Sequence, residues 1–135
     1  MNPSIAAFLG YVTWMLVLLG LLASVRVSLS VTGKKAPNSF DPSGADVSPF
    51  SNRLCRAHAN CYESFPIFGG LLLLAIATDT TAVTDGLAYF LIGARVLQSV
   101  THLASTSNLA VQVRFAFFIA QFLIGIYWVL QFINI

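Results

Sequence analysis

Four long apolar stretches, at roughly residues 5–29, 56–78, 83–104 and 109–133, alternate with polar segments along the chain. Each is close to the ~20 residues that an α-helix needs to cross a ~30 Å hydrocarbon layer at ~1.5 Å per residue. The pattern predicts an all-α membrane protein, a four-transmembrane-helix bundle in which residues 1–135 form a single domain. The longest interruption, about residues 30–55, contains "SVTGKKAPNSFDPSGADVSPFSN", whose Ser, Pro, Gly and Asp content is that of a surface loop. The first stretch reads as a span and not as a cleaved leader. Its opening "MNPSIAAF" has no Lys or Arg, and its apolar run from Ile5 to Val25 exceeds the roughly 7–15 residues of a signal-peptide core.

Composition sharpens this picture. Only 9% of residues are charged and 57% are hydrophobic, against about 25% charged in ordinary soluble domains, so the soluble classes are excluded. The net charge of +2 is small and the basic residues cluster at helix ends, which excludes nucleic acid as a partner. Lys34, Lys35 and Arg53 fall in the first loop, whereas the second, "DTTAVTDG", carries only Asp79 and Asp85. Lys and Arg near short loops are retained on the cytoplasmic side, so the first loop is expected there and both termini on the opposite side.

The second stretch is apolar without interruption only from Phe65 to Thr78, too short to span, so its helix must take in the polar residues upstream. Arg53, Arg56, Asn60 and Glu63 follow one another at intervals of three, four and three, which stacks them on one helical face. Pro66, lacking a backbone N–H, is expected to kink the helix beyond Glu63. In the third stretch Arg95, Gln98, Ser99 and His102 form a second polar stripe. Arg26 near the end of the first helix and Arg114 near the start of the fourth lie at the same depth, so all four helices bring polar groups to one level.

An arginine at the centre of a membrane helix costs about 2.5–3.5 kcal/mol on insertion scales. Snorkelling and ion pairing account for single cases such as Arg26 or Arg53. Arg56, Arg95 and Arg114, however, outnumber the single intramembrane acid, Glu63. Such a cluster calls for an anionic guest. A small molecule with carboxylates, and with an amine or amide for Glu63, satisfies the count, because arginine binds carboxylates in bidentate fashion.

"RLCRAHANCYESFPIF" followed by "ARVLQSVTHL" resembles the membrane-associated proteins in eicosanoid and glutathione metabolism, the family of microsomal glutathione transferases and the inducible prostaglandin E synthase. The resemblance extends over the whole chain. It implies a homotrimer with glutathione held at each subunit boundary, toward the cytoplasmic side. By position Arg56, Asn60 and Glu63 match the glutathione contacts of the second helix and Arg95 that of the third, with Arg53, Gln98 and His102 completing the candidate set. Arg26 matches a basic residue contributed across the boundary, and Arg114 falls near the arginine placed beside the thiol. The chain departs from the pattern at two points. The eicosanoid enzymes carry tyrosine where His102 stands, and the inducible synthase carries histidine where Gln98 stands, so a tyrosine-assisted mechanism does not transfer. The first loop also differs from that of the mammalian members, and their lipid substrates are not assumed.

Thiolate formation is where residues and resemblance meet. A free thiol of pKa near 8.5 is a few per cent ionised at neutral pH, and a neighbouring arginine raises that fraction. Arg114 is the candidate for this catalytic role. The expected function is a glutathione-dependent transferase or peroxidase acting on an apolar electrophile or lipid hydroperoxide that arrives from the bilayer. The alternatives are a non-catalytic subunit of a larger membrane complex and a glutathione- or lipid-binding regulator of the same fold. No metal is expected, since Cys55 and Cys61 lie on different sides of one helix and His58 and His102 have no evident further ligands. Trp14, Trp128 and Tyr127 read as interfacial anchors.

Overall fold

The computed structural model describes all residues from Met1 to Ile135. It is all-helical, with α1 (Pro3–Val31), α2 (Pro49–Ala77), α3 (Asp85–Ala104) and α4 (Asn108–Ile133), and a 3-10 turn at Thr81–Val83 before α3. All four helices are long and apolar enough to span a membrane, with mean hydropathy lowest, at 1.2, in α3, where a polar stripe interrupts the apolar surface. The order is antiparallel. Asn2 donates to Thr81 and Asp85, and α4 closes against the 3-10 turn, so both termini share one end with the α2–α3 connection. The α1–α2 loop and the α3–α4 connection occupy the other end, which we call the loop end.

The helix starts follow local capping chemistry. Ser48 caps α2 by accepting from the Ser51 N–H at 3.0 Å, with Pro49 at the first helical position, where its missing N–H leaves no bond unmade. The helix therefore begins seven residues before the expected position near 56, because a Ser-Pro pair that reads as loop chemistry is here an N-terminal cap. It then runs unbroken through Pro66. At the termini end the Ser4 hydroxyl donates to Asp85 at 2.7 Å and shares a hydrogen bond with the Thr84 hydroxyl, joining the start of α1 to the start of α3.

α2 and α3 lie together at the centre, with α1 packed on both and α4 packed on α3 and more lightly on α2. The core joins Ala7, Tyr11 and Leu18 of α1, Leu54, Cys61, Phe68 and Leu72 of α2, Ala88 and Leu91 of α3, and Trp128 of α4. Trp128 is fully buried, in contrast to the interfacial position expected of it. α4 approaches α2 closely at Gly125, where an added Cβ would lie 3.1 Å from the Phe68 ring. Leu9, Leu16, Phe115, Phe118, Phe122 and Leu130 are among the large apolar side chains left exposed, as a lipid-facing surface requires.

Candidate functional site

The polar residues of α2, α3 and α4 assemble toward the loop end into two connected layers. The outer layer is a groove of about 350 Å³ lined by Arg56, Ala59, Asn60 and Glu63 of α2, His102 of α3 and Arg114 of α4. Arg56, Asn60 and Glu63 are exposed to it, Arg114 is half-buried and His102 is buried. The spacing of Arg56, Asn60 and Glu63 along α2 places all three on one wall, as their intervals require. Glu63 forms no ion pair within the chain. The one ion pair present joins Lys35 to Asp46 at 2.9 Å in the α1–α2 loop. The groove thus presents two guanidinium groups, an amide and an imidazole around one carboxylate, none of them neutralised by another.

The inner layer is centred on Arg95, whose side chain is 1% exposed. Its Nη1 donates to Asn60 Oδ1 at 2.7 Å, its Nη2 to Gln98 Oε1 at 2.7 Å and its Nε to Gln121 Oε1 at 2.9 Å. Gln121 Nε2 in turn donates to Gln98 Oε1 at 2.7 Å and to the Phe117 carbonyl at 2.9 Å. A buried charge is strongly destabilising unless it is hydrogen-bonded, and three side-chain amide oxygens, one at each guanidinium nitrogen, serve that purpose here without an acid. Arg95 and Gln98 therefore stand behind the groove wall and not in it, and Asn60 is the link between the layers. Gln121 was not among the residues singled out from sequence. Its one signal is a neutral amide in the apolar run "FAFFIAQFLIGIYW", a position that demands a buried partner.

The other candidates lie apart. Arg53 donates from Nε to the Leu103 carbonyl at 2.8 Å and covers the Phe50 ring at 5.8 Å, tying the first turns of α2 to the last turn of α3. Arg26 stacks over Phe40 at 5.7 Å and donates to the Asp41 carbonyl at 3.5 Å, on a separate hollow lined also by Val27, Ser30, Val31, Pro37 and Asn38. Within one chain, then, Arg26 does not reach the groove that holds Arg56 and Arg114.

Farther along the α2–α4 seam, a second groove of about 430 Å³ is walled by Ile67, Phe68, Phe118, Phe122, Ile126 and Leu130, with Ser64 and Gly125 between them. It exposes no polar surface. Phe118 and Phe122 follow Arg114 at intervals of four on α4, and Ser64 and Ile67 follow Glu63 on α2, so polar and apolar grooves lie on the same pair of helices.

Comparison with curated proteins and with solved structures gives no match. The sequence does match the MAPEG family over residues 4–134, so the chain belongs to this family of membrane proteins associated with glutathione.

Proposed function

We propose that the chain is a membrane-bound, glutathione-dependent transferase or peroxidase acting on apolar electrophiles or lipid hydroperoxides. The observation that carries this reading is the groove between α2 and α4: Arg56 and Asn60 suit the carboxylates of glutathione, Glu63, free of any ion pair, suits its amine, and Arg114 is left for the thiol. Arg114 stands beside the thiol and stabilises its anion. The thiolate attacks the electrophilic carbon and expels its leaving group. With a hydroperoxide it attacks the outer oxygen and releases the alcohol, and a second glutathione thiol reduces the resulting sulfenic acid to the disulfide with loss of water.

The apolar groove on the same two helices supports entry of the second substrate from the bilayer. In this reading the active form is a homotrimer, and Arg26 of a neighbouring chain completes each site. The α1–α2 loop faces the cytoplasm and the site opens toward it.

Purified protein in detergent or nanodiscs is tested for conjugation of a chlorinated nitrobenzene, for reduction of a lipid hydroperoxide, and for glutathione affinity. Binding with turnover is the expected result. Binding without turnover would identify a regulator, and no binding of glutathione would identify a subunit that keeps only the fold.

A further inference from the structure

Arginine has only donors, and this decides how every amide around Arg95 is turned. Asn60 must present Oδ1 to Nη1, Gln98 must present Oε1 to Nη2, and Gln121 must present Oε1 to Nε. Gln121 removes the remaining freedom. Its nitrogen donates to the same Gln98 oxygen and to the Phe117 carbonyl, so it cannot flip without setting donor against donor at Arg95. The guanidinium is thus pinned in one plane from α4, and Asn60 is pinned through it. A planar amide whose oxygen is held by Arg95 directs its nitrogen away from that bond, and Asn60 is exposed and lines the groove, its nitrogen making no hydrogen bond within the chain.

We infer that Gln121 is a positioning residue which, through Arg95, fixes the Asn60 amide with its nitrogen toward the groove, so that the ligand must offer a hydrogen-bond acceptor at that point. Arg95 on this account never touches the ligand. Its guanidinium serves as the template that sets the polarity of Asn60, and the groove gains a neutral donor between the cationic Arg56 and the anionic Glu63. A carboxylate or peptide carbonyl of the tripeptide meets that demand, whereas its ammonium, which has only donors, does not. The inference rests on the glutathione reading given above.

The test measures glutathione affinity for the intact assembled protein and its variants. Asn60→Ala removes one donor and should weaken binding by roughly tenfold. Asn60→Asp keeps an oxygen on Arg95 and the same shape, but turns an acceptor to the groove, so it should weaken binding by at least roughly a hundredfold. Gln121→Met releases Arg95 and should weaken binding severalfold by itself, yet have no further effect in the Asn60→Ala background, because both changes act through one amide. Additive losses in that cycle, or an Asn60→Asp protein that binds as well as Asn60→Ala, would overturn the inference while leaving the glutathione reading in place. If the parent protein fails to bind glutathione, both fall together. Should Gln121→Met fail to assemble, Gln121→Asn, whose shorter side chain cannot keep both the Arg95 and the Gln98 bonds, takes its place in the cycle with the same expected and overturning results.

Discussion

Replacing Arg114 by leucine separates binding from chemistry, and its expected size can be worked out from the groove. A unit charge about 4 Å from a thiolate contributes about 4 kcal/mol at an effective dielectric constant near 20 and about 1 kcal/mol in bulk water. Arg114 is half-buried and the groove is open on one side, so the value falls between these limits. Taking about 1.4–2.7 kcal/mol, the bound thiol should lose one to two pKa units of acidity when the guanidinium is removed, at ~1.36 kcal/mol per unit. The sign follows from the charge: the cation favours the anionic form, so its loss raises the thiol pKa. Well below both pKa values the thiol is protonated in parent and variant alike, and glutathione affinity should be nearly equal. At pH values below the parent midpoint the thiolate population should fall roughly 10- to 100-fold, and less above it, with turnover falling somewhat less because a more basic thiolate is the better nucleophile. Above both values turnover should recover. The ultraviolet absorbance of the thiolate, followed in a pH titration of the glutathione complex, reads the midpoint directly. A midpoint unchanged in Arg114→Leu would refute the assignment, and a loss of affinity that persists in acid would make Arg114 a carboxylate contact instead.

Three further outcomes are expected. Glu63→Gln keeps shape and an acceptor but removes the charge. Glutathione binding should weaken severalfold with the assembly intact, whereas dissociation of the assembly on a sizing column with unchanged binding in the surviving fraction would make Glu63 a structural counter-ion. Arg53→Met breaks the bond to the Leu103 carbonyl, so thermal or denaturant unfolding should show a loss of about 1.5–3 kcal/mol, the range for a hydrogen bond to a charged group, while glutathione affinity in the folded protein stays put. A large affinity loss there would place Arg53 in the binding set. In the α1–α2 loop, the Ser43 N–H beside Asp41 and the Lys35 ammonium beside Asp46 hold both carboxyls below their ordinary values. Because the folded values are depressed, this ordering is fully present above about pH 4 and is lost as pH falls through the depressed values. Hydrogen exchange at the loop amides should rise over that window in the parent protein and be raised already at neutral pH in Asp46→Asn. Equal protection in both proteins would show that the loop is held by other contacts.

The four spans were legible in the sequence because length and hydropathy alone dictate them. The start of α2 was not, because Ser48 and Pro49 carry the same residue types as the loop before them, and only the geometry of the cap tells a helix start from a turn. The α2 wall of the groove could be read from spacing, since Arg56, Asn60 and Glu63 share a face of one helix. The α3 stripe could not be resolved in the same way. Arg95, Gln98 and His102 also share a face, but which of them meets the groove and which meets α4 depends on the rotation of α3 against its neighbours, and no single helix encodes that. Trp128 shows the same limit, as its position near a helix end suits an interfacial ring and a core ring equally, and packing against α2 and α3 decided the matter. Gln121 stood out in composition only as one amide among phenylalanines.

The placement of Arg95 also bears on how the chain enters the membrane. α3 is the least hydropathic of the four spans and carries a charge whose three oxygen partners include one on α2 and one on α4, residues that flank it in the order of synthesis. When α3 leaves the ribosome, Asn60 is already in place but Gln121 is not. Until α4 arrives, Arg95 has one fewer acceptor and an open side toward lipid, in a setting where an unshielded arginine costs about 2.5–3.5 kcal/mol. Insertion of α3 on its own is therefore marginal, and a chain that ends before α4 should leave α3 looped back into water or held at the insertion machinery. The fourth helix, whose own sequence needs no help to cross, commits the third.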